Sequence, residues 1–172
     1  MARLPDAWRN PEPNAIFKTE MKIVKFRDWE LLVDREATQQ VYDKIDGGIA
    51  DGCECNACKN YINDRENILP EEIKFLFKEL GIDPSKECEN CHSAVRKNGL
   101  HHYYSTWYHF KGQFKNINSS ELDSTKINDN FFIGFKYDAT LTFFEDIGNL
   151  VQVEINIEIP WTIEKELENL YE

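Results

Sequence analysis

Five cysteines fall in two groups: Cys53-x-Cys55-x-x-Cys58 and, after 29 intervening residues, Cys88-x-x-Cys91 with His92 directly behind it. Two residues between thiolates let one tight turn aim both sulfurs at a single ion, and a pair of such knuckles is the usual form of a structural zinc site. The symmetric ligand set is Cys55, Cys58, Cys88 and Cys91. Cys53 is an alternate: it could replace one of the four, bind a second metal, or pack as a small buried thiol. His92 is a second alternate, because the residue after a knuckle ligand usually points away from the ion. If the CxCxxC group makes the site alone, His109 is the natural fourth ligand, giving three thiolates and one imidazole.

The same letters admit other chemistry. Cys88, Cys91 and His92 fit a covalent haem attachment site, but that needs an exported apoprotein and usually an axial partner, and Met1 and Met21 are the only methionines. A catalytic dithiol needs a cysteine whose thiolate is stabilised, whereas Glu87 and Glu89 flank Cys88 and disfavour that charge. An iron-sulfur cluster could use the same four sulfurs. Structural disulfides fit poorly with a cytosolic chain and an odd number of cysteines.

Enzymatic signatures are absent from the sequence. It contains no phosphate loop, no Gly-x-Ser-x-Gly elbow and no His-Glu-x-x-His, and DGGIADG lacks the context of a nucleotide fingerprint. A metal-dependent hydrolase would need an open coordination position beside an acid or base. A closed, structural site is the better expectation.

The elements that must position these residues can be read from pattern. MKIVKF and WELLVD, joined at Arg27-Asp28, predict a hairpin, and Asp34 is placed to cap a short helix REATQQVYDKI stopped by Gly47-Gly48. Gly47 to Asn60 reads as a knuckle-like loop. Pro70, Glu71 and Glu72 open a helix with Ile73, Leu76, Phe77 and Leu80 on one face, and Gly81 and Pro84 end it. That helix would bring the two cysteine groups together as a loop-helix-loop arm.

The C-terminal half predicts strands at HHYYSTWYHFKGQF, NFFIGFKY, ATLTFFED and LVQVEINIEI, and TIEKELENLYE predicts a closing helix. In the first strand His109 shares a face with Tyr103 and Trp107, and His102 lies on the other. In the last, Val151, Val153, Ile155, Ile157 and Ile159 alternate with polar residues, the signature of an antiparallel strand with one wet face.

The runs GCECNACKNY, LGIDPSK and WYHFKG together resemble a group of small bacterial proteins without assigned activity, which carry a CxCxxC knuckle, an Asn-aromatic pair after it and a later WYHF-Gly strand. The resemblance spans roughly residues 51 to 112 and implies that Cys53, Cys55 and Cys58 act together.

Composition bounds the whole. At 172 residues, 41% hydrophobic and 13% aromatic, the chain suits one domain with a full core. Residues 1–20, with Pro5, Pro11 and Pro13, read as an extended arm. Residues 21–172 read as a single α+β domain, mainly an antiparallel sheet with two or three helices and a metal-binding insertion at about 47–95. The net charge is −11, of which residues 117–172 carry −9. That acidity argues against direct nucleic-acid binding, and the lack of a long apolar stretch argues against a membrane and for the cytoplasm. The sequence therefore predicts a non-catalytic zinc-binding module with a protein partner. Two alternatives stand beside it: an acidic inhibitor of a basic nucleic-acid-processing protein, and a metal-dependent hydrolase or dithiol redox protein.

Overall fold

The computed structural model describes residues 20–96, 101–115 and 124–167. The described residues form an α+β fold: three α-helices on a seven-stranded sheet whose pairings are all antiparallel. Among the described residues no helix is long and apolar enough to cross a membrane. The expected arm at 1–20 lies, but for Glu20, outside the described residues.

A hairpin of β1 (Lys22–Phe26) and β2 (Trp29–Val33) begins the chain, turning at Arg27, whose φ of 52° is left-handed. Asp34 then caps α1 (Arg35–Tyr42) by accepting the Ala37 N–H at 2.9 Å. α2 (Asn56–Ile68) and α3 (Glu71–Leu80) follow, separated by Leu69 and Pro70. α3 buries Ile73, Leu76, Phe77 and Leu80, as its periodicity predicts, and ends on Gly81 at φ 79°. Only glycine suits that position, since a Cβ there would also overlap the Arg35 carbonyl.

β4 (His101–Phe114) is the central strand. Along one edge it pairs with β7 (Leu150–Pro160), which carries β6 (Phe131–Lys136) and β5 (Thr125–Asn128) beyond it. Along the other edge it pairs at one end with β3 (Glu89–Arg96) and at the other with β2. Between those two partners α1 fills the gap. The Tyr42 hydroxyl accepts the His109 N–H at 3.1 Å and donates to the His109 carbonyl at 3.0 Å, and Thr38 Oγ1 accepts the Lys111 N–H at 2.9 Å. Backbone groups that would otherwise be buried unpaired are thus satisfied by side chains.

Alternation sorts the sheet into two faces. Tyr104, Thr106, Tyr108 and Phe110 of β4 lie in register with Ile157, Ile155, Val153 and Val151 of β7, and all are buried. The helices dock on this side. The Tyr61 hydroxyl meets the Tyr108 hydroxyl at 3.3 Å, Tyr104 donates to the Ala57 carbonyl at 3.0 Å, and Phe77 stands edge-on to Tyr108 at 4.9 Å. The expected wet face of β7 is only half wet, because Gln152 is fully buried while Glu154 and Glu158 are partly exposed.

Four elements differ from the sequence expectation. Residues 49–52 form a turn of 3-10 helix and 56–68 form α2, where a knuckle loop was expected, so helices packed on the sheet replace the loop-helix-loop arm. CENCH enters β3 and forms no turn of its own. ATLTFFED is irregular, with Leu141 at φ 51°, and forms no strand. TIEKELENLYE is not helical through Leu167, and the rest of it lies outside the described residues.

Candidate metal centre

Local chemistry begins at Glu87. Its backbone carbonyl accepts the Ile49 N–H at 2.9 Å and its carboxylate Oε1 accepts the Ala50 N–H at 3.0 Å, which pins the 3-10 turn Ile49–Gly52 to the chain just ahead of β3. Gly48 permits this approach, since a Cβ there would overlap the Glu87 carboxylate. Arg65 of α2 reaches back with two bonds to Asp51, at 2.9 and 3.1 Å, and lies 3.5 Å from Glu87 Oε2. The turn is therefore fixed from both sides. It hands the chain to Cys53, whose N–H is bonded to the Ala50 carbonyl at 3.0 Å.

α2 places the other two sulfurs. Cys55 is the N-cap, its sulfur accepting the Cys58 N–H at 3.4 Å, so Cys55 and Cys58 stand one turn apart at the start of the helix. Cys53 Sγ lies 3.1 Å from Cys55 Sγ, and the three sulfurs all lie within 4.8 Å of one another. Zinc-bound sulfurs in a tetrahedral site stand about 3.8 Å apart, from Zn–S bonds of about 2.3 Å. The donor set and its spread therefore fit a thiophilic metal ion. Among the described residues this is the one group of three or more ligand side chains so gathered.

The electrostatics agree. Burial, and then the neighbouring thiols of Cys53 and Cys55, push the Cys58 thiol far above its ordinary range. Three sulfurs in contact repel as thiolates and need a cation to ionise together. Asn90 of β3 lies against Cys58, its Nδ2 3.9 Å from Sγ, and is itself oriented by Thr106, whose hydroxyl donates to Asn90 Oδ1 at 3.1 Å.

The other sequence candidates go elsewhere. Cys88 and Cys91 do not join the cluster. Cys88 sits in a bend just ahead of β3, its N–H bonded to the Trp107 carbonyl at 2.9 Å, while Cys91 lies within the strand in register with Ser105, so the two do not form a knuckle. Cys88 is buried with Sγ 3.1 Å from the Trp107 carbonyl and 3.2 Å from His109 Nδ1; Cys91 is exposed. Burial, with Glu89 and Glu87 adding to it, pushes the Cys88 thiol up to about 12.

His109 is likewise not the cluster's neighbour. It follows Tyr108, which faces the helices, so it faces away from α2, and burial takes its imidazole down to about 4. The pair Cys88–His109 is thus a thiol and a neutral imidazole in contact, both buried. Its Nε2, Trp107 Nε1 and both amide atoms of Gln152 are buried without a hydrogen-bond partner among the described residues.

His92 lies on the α2 side. It is in register with Tyr104, stands edge-on to that ring at 5.1 Å, and has Nε2 2.8 Å from His102 Nδ1, while His102 packs at a tilt against Trp161 at 4.3 Å. Burial, then His102, lowers its pKa and keeps it a neutral imidazole at neutral pH. Sequence reasoning missed the buried Glu87 with Arg65 and Asp51. The signal was faint: Glu87 is one acidic residue among 31. Compared with protein families, with curated proteins and with solved structures, the chain matches none.

Proposed function

We propose that this chain is a non-catalytic zinc-binding module in which Cys53, Cys55 and Cys58 hold the ion and the ion staples the 3-10 turn to the start of α2. The observation that carries this reading is the convergence of three sulfurs within 4.8 Å from two different elements. A thiolate-rich set selects zinc over hard cations and makes the bound ion a weak Lewis acid, which suits a structural role. The ion would supply charge neutralisation for three thiolates and a second cross-link between segments already joined by the Arg65–Asp51 pair. The role is that of an interaction or accessory protein, and Ile49, exposed beside the cluster, and Phe75, exposed on α3, are apolar side chains available to a protein partner.

Elemental analysis of protein purified under reducing conditions, alongside its visible spectrum, tests the reading. The expectation is about one zinc per chain and no visible band. Cys58→Ser should lose the metal, whereas Cys91→Ser and Cys88→Ser should keep it. Iron with colour would turn the site into an iron-sulfur centre, and metal retained in Cys58→Ser but lost in Cys88→Ser would restore the paired-knuckle arrangement.

A further inference from the structure

Three thiolates leave a tetrahedral ion one ligand short. Of the remaining cysteine and histidine candidates, Cys91 is exposed on the opposite face, Cys88 is turned to His109, and His109 faces away from α2. His92 is on the correct face. It stands two residues from Asn90, whose amide touches Cys58, and its ring packs on Tyr104, whose hydroxyl bonds the Ala57 carbonyl between Cys55 and Cys58.

Resting on the zinc reading above, we propose that His92 supplies the fourth ligand through Nδ1, with His102 as its positioning partner. A histidine ligand typically hands its other ring N–H to an acceptor that fixes tautomer and orientation. His92 can take that arrangement: its Nε2 is 2.8 Å from His102 Nδ1, and in the tautomer whose Nε2–H donates across that contact the lone pair is on Nδ1. His102 is itself clamped by Trp161, whose indole N–H donates to the Lys165 carbonyl at 2.8 Å. The following residues reach the same corner, because Asn56, the first residue of α2, donates to the Glu166 carbonyl at 2.8 Å. His92 does not belong to the group of atoms within 4.8 Å, so ligation through Nδ1 requires its ring to move toward the sulfurs when the metal binds. Its side chain is half-buried.

The test is a long-range proton–nitrogen NMR spectrum of the full chain labelled at histidine nitrogens, recorded before and after zinc is added, with zinc affinities for two variants. Expected is a shift of one histidine Nδ1 to a metal-bound position, assigned to His92 by its loss in His92→Ala. Zinc should bind at least about tenfold more weakly in His92→Ala, and about tenfold more weakly in His102→Phe, which keeps the stacking and removes the acceptor. If zinc binds the wild type while no histidine nitrogen moves and His92→Ala binds equally well, the fourth ligand is not His92 and the three-cysteine reading stands. If the wild type binds no zinc at all, both fall together. Backbone-linked assignment of the four histidine rings in the wild type identifies the shifted residue as well, so a variant that fails to fold does not decide the outcome.

Discussion

Glu87 is a carboxylate with no exposed surface, and its two oxygens have unequal company. Oε1 accepts from Ala50, while Oε2 has only the Arg65 guanidinium at 3.5 Å. Burial pushes its pKa up to about 7, and backbone hydrogen bonds, Ala50's among them, and then the attraction of Arg65 offset this only in part. The native state then holds a proton that the unfolded state has already released near the ordinary value of 4.5. Stability from this group is present below about pH 4.5 and declines as the pH rises toward 7, the slope set by the extra native proton. The total change is about 3 kcal/mol at 1.36 kcal/mol per unit. Urea denaturation from pH 5 to 8 should show that decline in the wild type and a flatter profile in Glu87→Gln, whose amide oxygen can still accept from Ala50. Equal slopes in the two proteins would mean that Glu87 ionises as an ordinary surface acid.

At the scale of elements, α1 acts as a substitute strand. β2 and β3 share one edge of β4 but leave a gap between them, and Tyr42 and Thr38 supply the hydrogen bonds that a strand would have made. Tyr42→Phe preserves the ring and strands both backbone groups of His109 in the interior. The expected cost is about 2–4 kcal/mol, with the denaturant m-value unchanged. A loss under about 0.5 kcal/mol would show that water takes the place of the hydroxyl. This device could not be read from sequence, because it depends on which strands pair. Elements with strong local signals were legible: the hairpin at Arg27-Asp28, α1 with its Asp34 cap, α3 between Pro70 and Gly81, and the alternation of β7. α2 was not, because its N-cap is a cysteine, outside the usual Ser, Thr, Asp and Asn set, and because its buried face holds Ala57, Cys58 and Asn60 with Tyr61 as its one large side chain. The CxxC at 88–91 misled for the complementary reason. Spacing alone carries no φ and ψ: here Cys88 bends toward His109 and is buried, while Cys91 enters β3 and is exposed. Of the candidate site, the CxCxxC half was legible as a unit, and the three cysteines do stand together.

For the whole molecule, the question is how far the fold depends on the metal. The helix side of the sheet is held by contacts that do not involve the cluster: Trp29 against Phe135, Phe77 against Tyr108, and the run of Val151, Val153, Ile155 and Ile157 in β7. α2 has its own anchors beyond the first turn. Asn60 donates to the Pro160 carbonyl at 3.1 Å and accepts the Thr162 N–H at 2.7 Å, and Tyr61 meets Tyr108. The segment from Gly48 to Cys55 depends instead on Glu87, Arg65 and, on the reading proposed above, a bound ion. Chelation should therefore loosen this corner and leave the core folded, unlike a small zinc finger, whose folding free energy is mostly metal binding. Hydrogen exchange with and without a chelator separates the cases: protection should fall at Ile49 to Cys58 and hold along β4 and β7. The thermal transition should drop by several degrees and stay cooperative, since a local loss of about 1–2 kcal/mol moves the midpoint by about 2–8 °C in a chain of this size. If protection instead collapses across β4 and β7 together, the ion is part of the core's cooperative unit. The Glu87 and Tyr42 anchors would then be too weak to hold the sheet and helices without it.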